Sequence, residues 1–113
     1  MSQFDEKVAL YKKFMDDRDL RSNADLLAAV TKGLGPSIYK ADAETVSGSD
    51  PKELATVRNN FLIKKLGLAD TNELDAGIDE VMKRIGVSER KKYRAVVYYL
   101  LVKKFEKESI YGM

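Results

Sequence analysis

The amino-acid sequence predicts an all-α fold, a compact bundle of about five helices with the C-terminal helix central. Three observations predict it. Apolar residues recur at spacings of three and four along most of the chain, the period of a helix with one buried face. Helix-start and helix-stop residues punctuate that pattern, and the Asp-Pro-Lys-Glu run at 50–53 is the cleanest of them. Finally, the longest apolar run, Ala95 to Val102, sits in a stretch from Glu89 to Ser109 that contains neither glycine nor proline. At 113 residues, with 44% hydrophobic and 34% charged side chains, the chain has the size and balance of one globular domain, assigned to 1–113.

The first helix is expected from about Gln3 to Arg18. Phe4, Val8, Tyr11 and Met15 form its stripe, with Leu10 and Phe14 flanking. Ser2 is its N-cap, and Asp5 and Glu6 complement the positive end of the helix dipole. The second helix starts after Ser22 or Asn23, carries Leu26, Leu27 and Val30, and is expected to end with Gly33 in a left-handed conformation. Gly35-Pro36 follows, and proline cannot continue a helix interior. Residues 33–49 therefore form the longest irregular segment. Its Ile38, Tyr39, Ala41, Ala43 and Val46 are too apolar for a loose linker, so it is expected to pack down, with a short helix around Ala43.

The third helix begins at Asp50 as N-cap, Pro51 in the first turn, and Glu53 placed to return a hydrogen bond. It runs through Leu54, Val57, Phe61 and Leu62 to Leu66, where Gly67 closes it. Asp70 with Glu73 repeats the capping pattern before the stripe Leu74, Ile78, Val81, Met82 and Ile85, which Gly86 ends. Ser88 is expected to cap a fifth helix from Glu89 to about Lys107. Val96, Val97, Tyr98, Tyr99 and Val102 favour strands by composition, but nothing there turns a strand back, so one helix is the simpler reading. A helix that is apolar on all sides over Ala95 to Val102 must be surrounded by the others.

Gly33-Leu34-Gly35-Pro36-Ser37-Ile38-Tyr39, the run Asn59 to Leu68, and Tyr93 to Phe105 are the segments by which the chain resembles a family of short bacterial proteins known only as a domain of unknown function. The resemblance covers nearly the whole chain. It implies a bacterial, cytoplasmic, helical protein and brings no reaction, ligand or catalytic residue with it.

Composition narrows the chemistry. There is no histidine and no cysteine, which removes the commonest general base, nucleophile and transition-metal ligands. No catalytic, cofactor-binding or metal-ligating set is assigned; an enzyme of this sequence would have to work with carboxylate, lysine or tyrosine groups. No apolar run approaches a membrane span, and the Met1 to Glu6 start has no leader character, so a cytoplasmic location without a membrane partner is expected.

The net charge of +2 hides an asymmetry. Residues 1–50 hold seven basic and nine acidic side chains, and residues 51–113 hold thirteen and nine. From Lys83 to Lys104 there are eight basic residues against the single acid Glu89. Arg84, Arg90, Lys91, Lys92 and Arg94 form a candidate basic patch, with Tyr93, Tyr98 and Tyr99 beside it as stacking groups. At 100° per residue, however, Arg90, Lys91, Lys92 and Arg94 point around a helix, as the solvated end of a buried helix would.

Other motifs read as structural. Gly33-x-Gly35 follows a helix C-terminus, the wrong polarity for a phosphate loop. Ser47-Gly48-Ser49 does lead into a helix, but Asp50 would fill that anion position with its own carboxylate. The Asp16, Asp17, Asp19 cluster lacks EF-hand register, and Asp75 with Asp79 lacks the second carboxylate helix of a di-iron site. The leading expectation is a non-catalytic protein-interaction module, self-associating or binding another protein, through Gly35, Pro36, Ile38 and Tyr39. Within it Tyr39 is expected to be a core tyrosine. Weak nucleic-acid binding through 83–104 is the alternative.

Overall fold

A computed structural model describes residues 2–112. Helix α1, Gln3–Asp16, starts as its residues dictate: the Asp5 amide donates to Ser2 Oγ at 3.1 Å. It stops two residues before the expected end, where Asp19 takes a left-handed φ of 55° and the Leu20 amide reaches back to the Met15 carbonyl. Asn23 caps α2, Ala24–Gly33, by accepting from the Asp25 and Leu26 amides. Gly33 lies inside that helix, and the left-handed residue is Gly35 at φ 65°, from which a 3-10 turn runs over Gly35–Tyr39. One helical turn, α3, follows at Ala41–Glu44, the short helix expected around Ala43.

Helix α4, Pro51–Thr56, opens as the Asp-Pro pattern predicts, with the Lys52 amide donating to the Asp50 carboxylate at 2.9 Å. It continues without a break as a wider π-helix over Val57–Lys65. Gly67, at φ 72°, ends it and lets the Leu68 amide return to the Leu62 carbonyl. Of the two expected capping boxes, the first is half formed and the second is absent. Glu53 pairs with Arg94 rather than with its own cap, and the N-cap of α5, Asn72–Ile85, is Thr71 with no side-chain bond. Asp70 is drawn instead to Arg58, which also holds Asp75 at 3.1 Å.

The largest departure concerns the last helix. Helix α6 is Arg94–Lys104, five residues shorter at its start than expected, and Ser88 does not cap it. Backbone groups that a helix over 89–93 would use are spent elsewhere. The Glu89 carboxylate takes the Lys91 amide, and the Lys92 carbonyl takes the Val46 amide at 2.8 Å in a bridge that pairs Thr45 with Tyr93. The long loop is thereby tied to the root of α6. A second 3-10 turn, Glu108–Tyr111, follows after Glu106 adopts φ 54°.

Every residue from Ala95 to Val102 is buried, and α6 packs against α1, α2, α3 and α5. The central position expected of the C-terminal helix is therefore observed. Buried side chains of α1, α2, α5, α6 and the π-helix join one core, with Tyr11 and Phe14 against Tyr93 and Phe61 stacked on Tyr98 at 3.9 Å. Among the described residues no helix is long and apolar enough to cross a membrane.

Candidate functional site

Two surface regions gather the residues singled out in the sequence. The first is built by α1 and the Gly35–Tyr39 turn. Side chains one residue apart on a 3-10 turn point about 120° apart. Ile38 accordingly enters the core at 1% exposure, and Tyr39 turns outward at 46%. The expectation of a core tyrosine at 39 is corrected by that geometry. Gly35 and Pro36 are exposed beside it, Gly35 supplying the positive φ that starts the turn. Tyr39 and Leu10, itself 40% exposed, line a shallow cleft of about 370 Å³ with Gln3, Glu6 and Lys7. Leu10 was legible only as a residue flanking the α1 stripe; its neighbour at 39 could not be read from spacing within one helix.

Beneath this face lies an ion pair with a phenol attached. Glu44 accepts from Lys7 at 2.8 Å and from the Tyr11 hydroxyl at 2.5 Å, joining α1 to α3. Burial first, and the bond to Glu44 second, hold the Tyr11 hydroxyl well above the ordinary tyrosine range. Lys7 and Glu44 are committed to each other, whereas Glu6 and Lys40 are exposed and enter no ion pair among the described residues.

The second region is the basic segment, and the structure divides it. Lys83, Lys103 and Lys104 pair with Asp79, Glu108 and Glu80. Arg94 is turned inward, donating to the Ala43 carbonyl at 2.8 Å, to the Tyr98 hydroxyl and to Glu53. Lys92 is buried, with its ammonium on the Val87 and Glu89 carbonyls. Only Arg84, Arg90 and Lys91 are both exposed and outside any ion pair among the described residues. Tyr93 and Tyr99 belong to the core, and the Tyr99 hydroxyl accepts from the Asn23 amide at 2.7 Å.

Lys92 and Arg90 border a larger cleft of about 450 Å³, between the 45–49 loop, the end of α5 and residues 87–92. Glu89 lines it too, but its carboxylate is occupied by the Lys91 amide and by Arg18, which together hold it below the ordinary carboxylate range. The acidic clusters are also engaged: Asp16 and Asp17 pair with Lys12 and Lys13, and Asp75 with Arg58.

The chain belongs to the family described as "Protein of unknown function (DUF2853)", whose model matches residues 10–109. No curated protein matches it.

Proposed function

We propose that this member of a family without an assigned role is a non-catalytic helical interaction module, bacterial and cytoplasmic, and that the partner its Tyr39 face fits is a second copy of the chain. The observation that carries the reading is the pairing of two large apolar side chains, Leu10 and Tyr39, on one cleft at the surface. Exposed apolar side chains scattered singly need no explanation, but two that share a cleft form a patch. Glu6 lines the same cleft and Lys40 follows Tyr39 in the chain, both exposed and outside any ion pair among the described residues. A second copy brings the same acid and the same base, so that in an isologous contact Glu6 of each copy can meet Lys40 of the other. The absence of cysteine fits the reducing location, and the family resemblance is the ground for a bacterial source.

Two such side chains are a fraction of the roughly 800 Å² per partner in a stable interface, so the association is weak, with Kd of about 0.1 to 1 mM. Sedimentation equilibrium over rising concentration tests it. The wild type is expected to show reversible dimerisation that Tyr39→Ser and Leu10→Ser each abolish without loss of helicity. A strict monomer into the millimolar range overturns the reading.

A second reading, weak nucleic-acid binding, is favoured by three cations of the 83–104 segment, Arg84, Arg90 and Lys91, that are exposed and outside any ion pair among the described residues. It predicts a low-salt mobility shift with single-stranded oligonucleotides that falls steeply as salt is raised. No shift at low salt removes it.

A further inference from the structure

Lys92 is 5% exposed, yet among the described residues no carboxylate oxygen comes within 4.0 Å of its ammonium. A buried charge is costly unless it is paired and hydrogen-bonded. The Val87 carbonyl at 3.4 Å and the Glu89 carbonyl use two of its three N–H groups. Two carbonyl dipoles lower the cost of burial but leave the positive charge in place.

The surroundings of that charge are suited to an anion. Lys92 forms part of the wall of the 450 Å³ cleft, a volume in the ordinary range for a small-molecule site. Gly48 lies over its side chain: a Cβ there would stand 3.4 Å from Lys92 Cε and 3.7 Å from Nζ. The loop can therefore sit close to the ammonium without a side chain in between. Ser47, Ser49 and Ser88 bring hydroxyls to the same cleft, and Arg90 brings a guanidinium that enters no ion pair among the described residues. Both acids of the lining are committed, Asp79 to Lys83 at 2.9 Å and Glu89 to Arg18. Val46, Met82 and the 77% exposed Val87 supply apolar wall for an organic body. The N-terminus of α4 plays no part, since Asp50 caps it.

We propose that this cleft binds a small phosphate monoester, with Lys92 as the buried cation that its phosphate neutralises, Arg90 and the seryl hydroxyls as further donors, and Val87 beside the organic part. Charge-assisted hydrogen bonds of this kind are the strong ones. The site is separate from the Tyr39 face, so neither proposal stands or falls with the other.

Amide chemical shifts of the full chain, titrated with glucose 6-phosphate, test it. Saturable shifts confined to residues 45–49 and 87–92 are expected below about 10 mM, with inorganic phosphate moving the same amides more weakly and glucose moving none. Arg90→Gln is expected to weaken binding about tenfold, the loss of one charged hydrogen bond, and Lys92→Met to abolish it. Should Lys92→Met fail to fold, Arg90→Gln and Ser49→Ala carry the test, both residues being exposed. No saturable shift in the cleft overturns the proposal. So does an unchanged affinity in folded Lys92→Met, or in Arg90→Gln and Ser49→Ala together. Equal binding of glucose also overturns it, as does an oligonucleotide that binds with steep salt dependence where glucose 6-phosphate does not.

Discussion

At Tyr11 a fully buried ring ends in a hydroxyl that donates to Glu44, and both burial and that bond favour the neutral phenol. Its folded pKa lies above the unfolded value of about 10, so its contribution is intact below pH 10 and is lost as pH rises beyond it. Tyr111 is raised too, again by burial first. Urea midpoints should therefore fall above pH 10, and Tyr11→Phe should fall less steeply there than the wild type. Equal slopes would mean that Tyr11 ionises freely in the folded state. Glu89 has the opposite sign: its depressed pKa contributes above the ordinary carboxylate range and is lost as pH falls through it. Sequence reading could name Tyr39 but not orient it, because the direction of a side chain on a 3-10 turn depends on where the turn begins. The glycine pattern alone points to Gly33 for the left-handed conformation, which Gly35 takes instead. Lys92 reads as a solvated charge for a related reason: the expected fifth helix starts at Glu89, whereas residues 87–92 fold into a bend whose Val87 and Glu89 carbonyls hold the ammonium.

Between elements, the five capping expectations separate by what competes for each side chain, and Asn23 caps α2 as expected. Ser2 and Asp50 have no stronger partner nearby and cap as expected, whereas Asp70 is taken by Arg58 and Ser88 has no helix to cap. Asp50→Ala should cost about 1 kcal/mol in chemical denaturation. Asp70→Ala should cost clearly less, since it removes one arm of an exposed ion pair while Arg58 keeps Asp75. Equal costs would restore Asp70 as a cap. Gly77 carries a different constraint, invisible in the stripe of α5. A Cβ there would stand 2.6 Å from the Phe105 ring at the end of α6, so Gly77→Ala must displace that ring. The gain of about 1 kcal/mol in helix propensity should be outweighed, giving a net loss of stability in the same denaturation assay. The helix periods themselves are legible because each of α1, α2, the π-helix and α5 buries one face. The start of α6 is not, because the Lys92 carbonyl accepts from the distant Val46 amide.

On the scale of the whole molecule, the apolar run of α6 explains why the chain closes around its C-terminal helix. Leu100 is 3% exposed, and Leu100→Ala should cost roughly 2 to 5 kcal/mol in equilibrium unfolding. A loss below about 1 kcal/mol would make α6 peripheral. This scaffold leaves its distinctive chemistry at the surface, where the long segment 33–49 supplies one wall of each region: Tyr39 to the α1 face and Ser47 to Ser49 to the Lys92 cleft. Both walls came from the segment that sequence reading marked as apolar and irregular, while their partners on α1 and beyond α5 depended on tertiary contacts. The central functional claim is that the Tyr39 face meets its own copy. Amide chemical shifts recorded from dilute to millimolar protein are the test: concentration-dependent shifts are expected at residues 3–10 and 35–42 and are expected to vanish in Tyr39→Ser, whereas shifts elsewhere, or none, rule out self-association through this face.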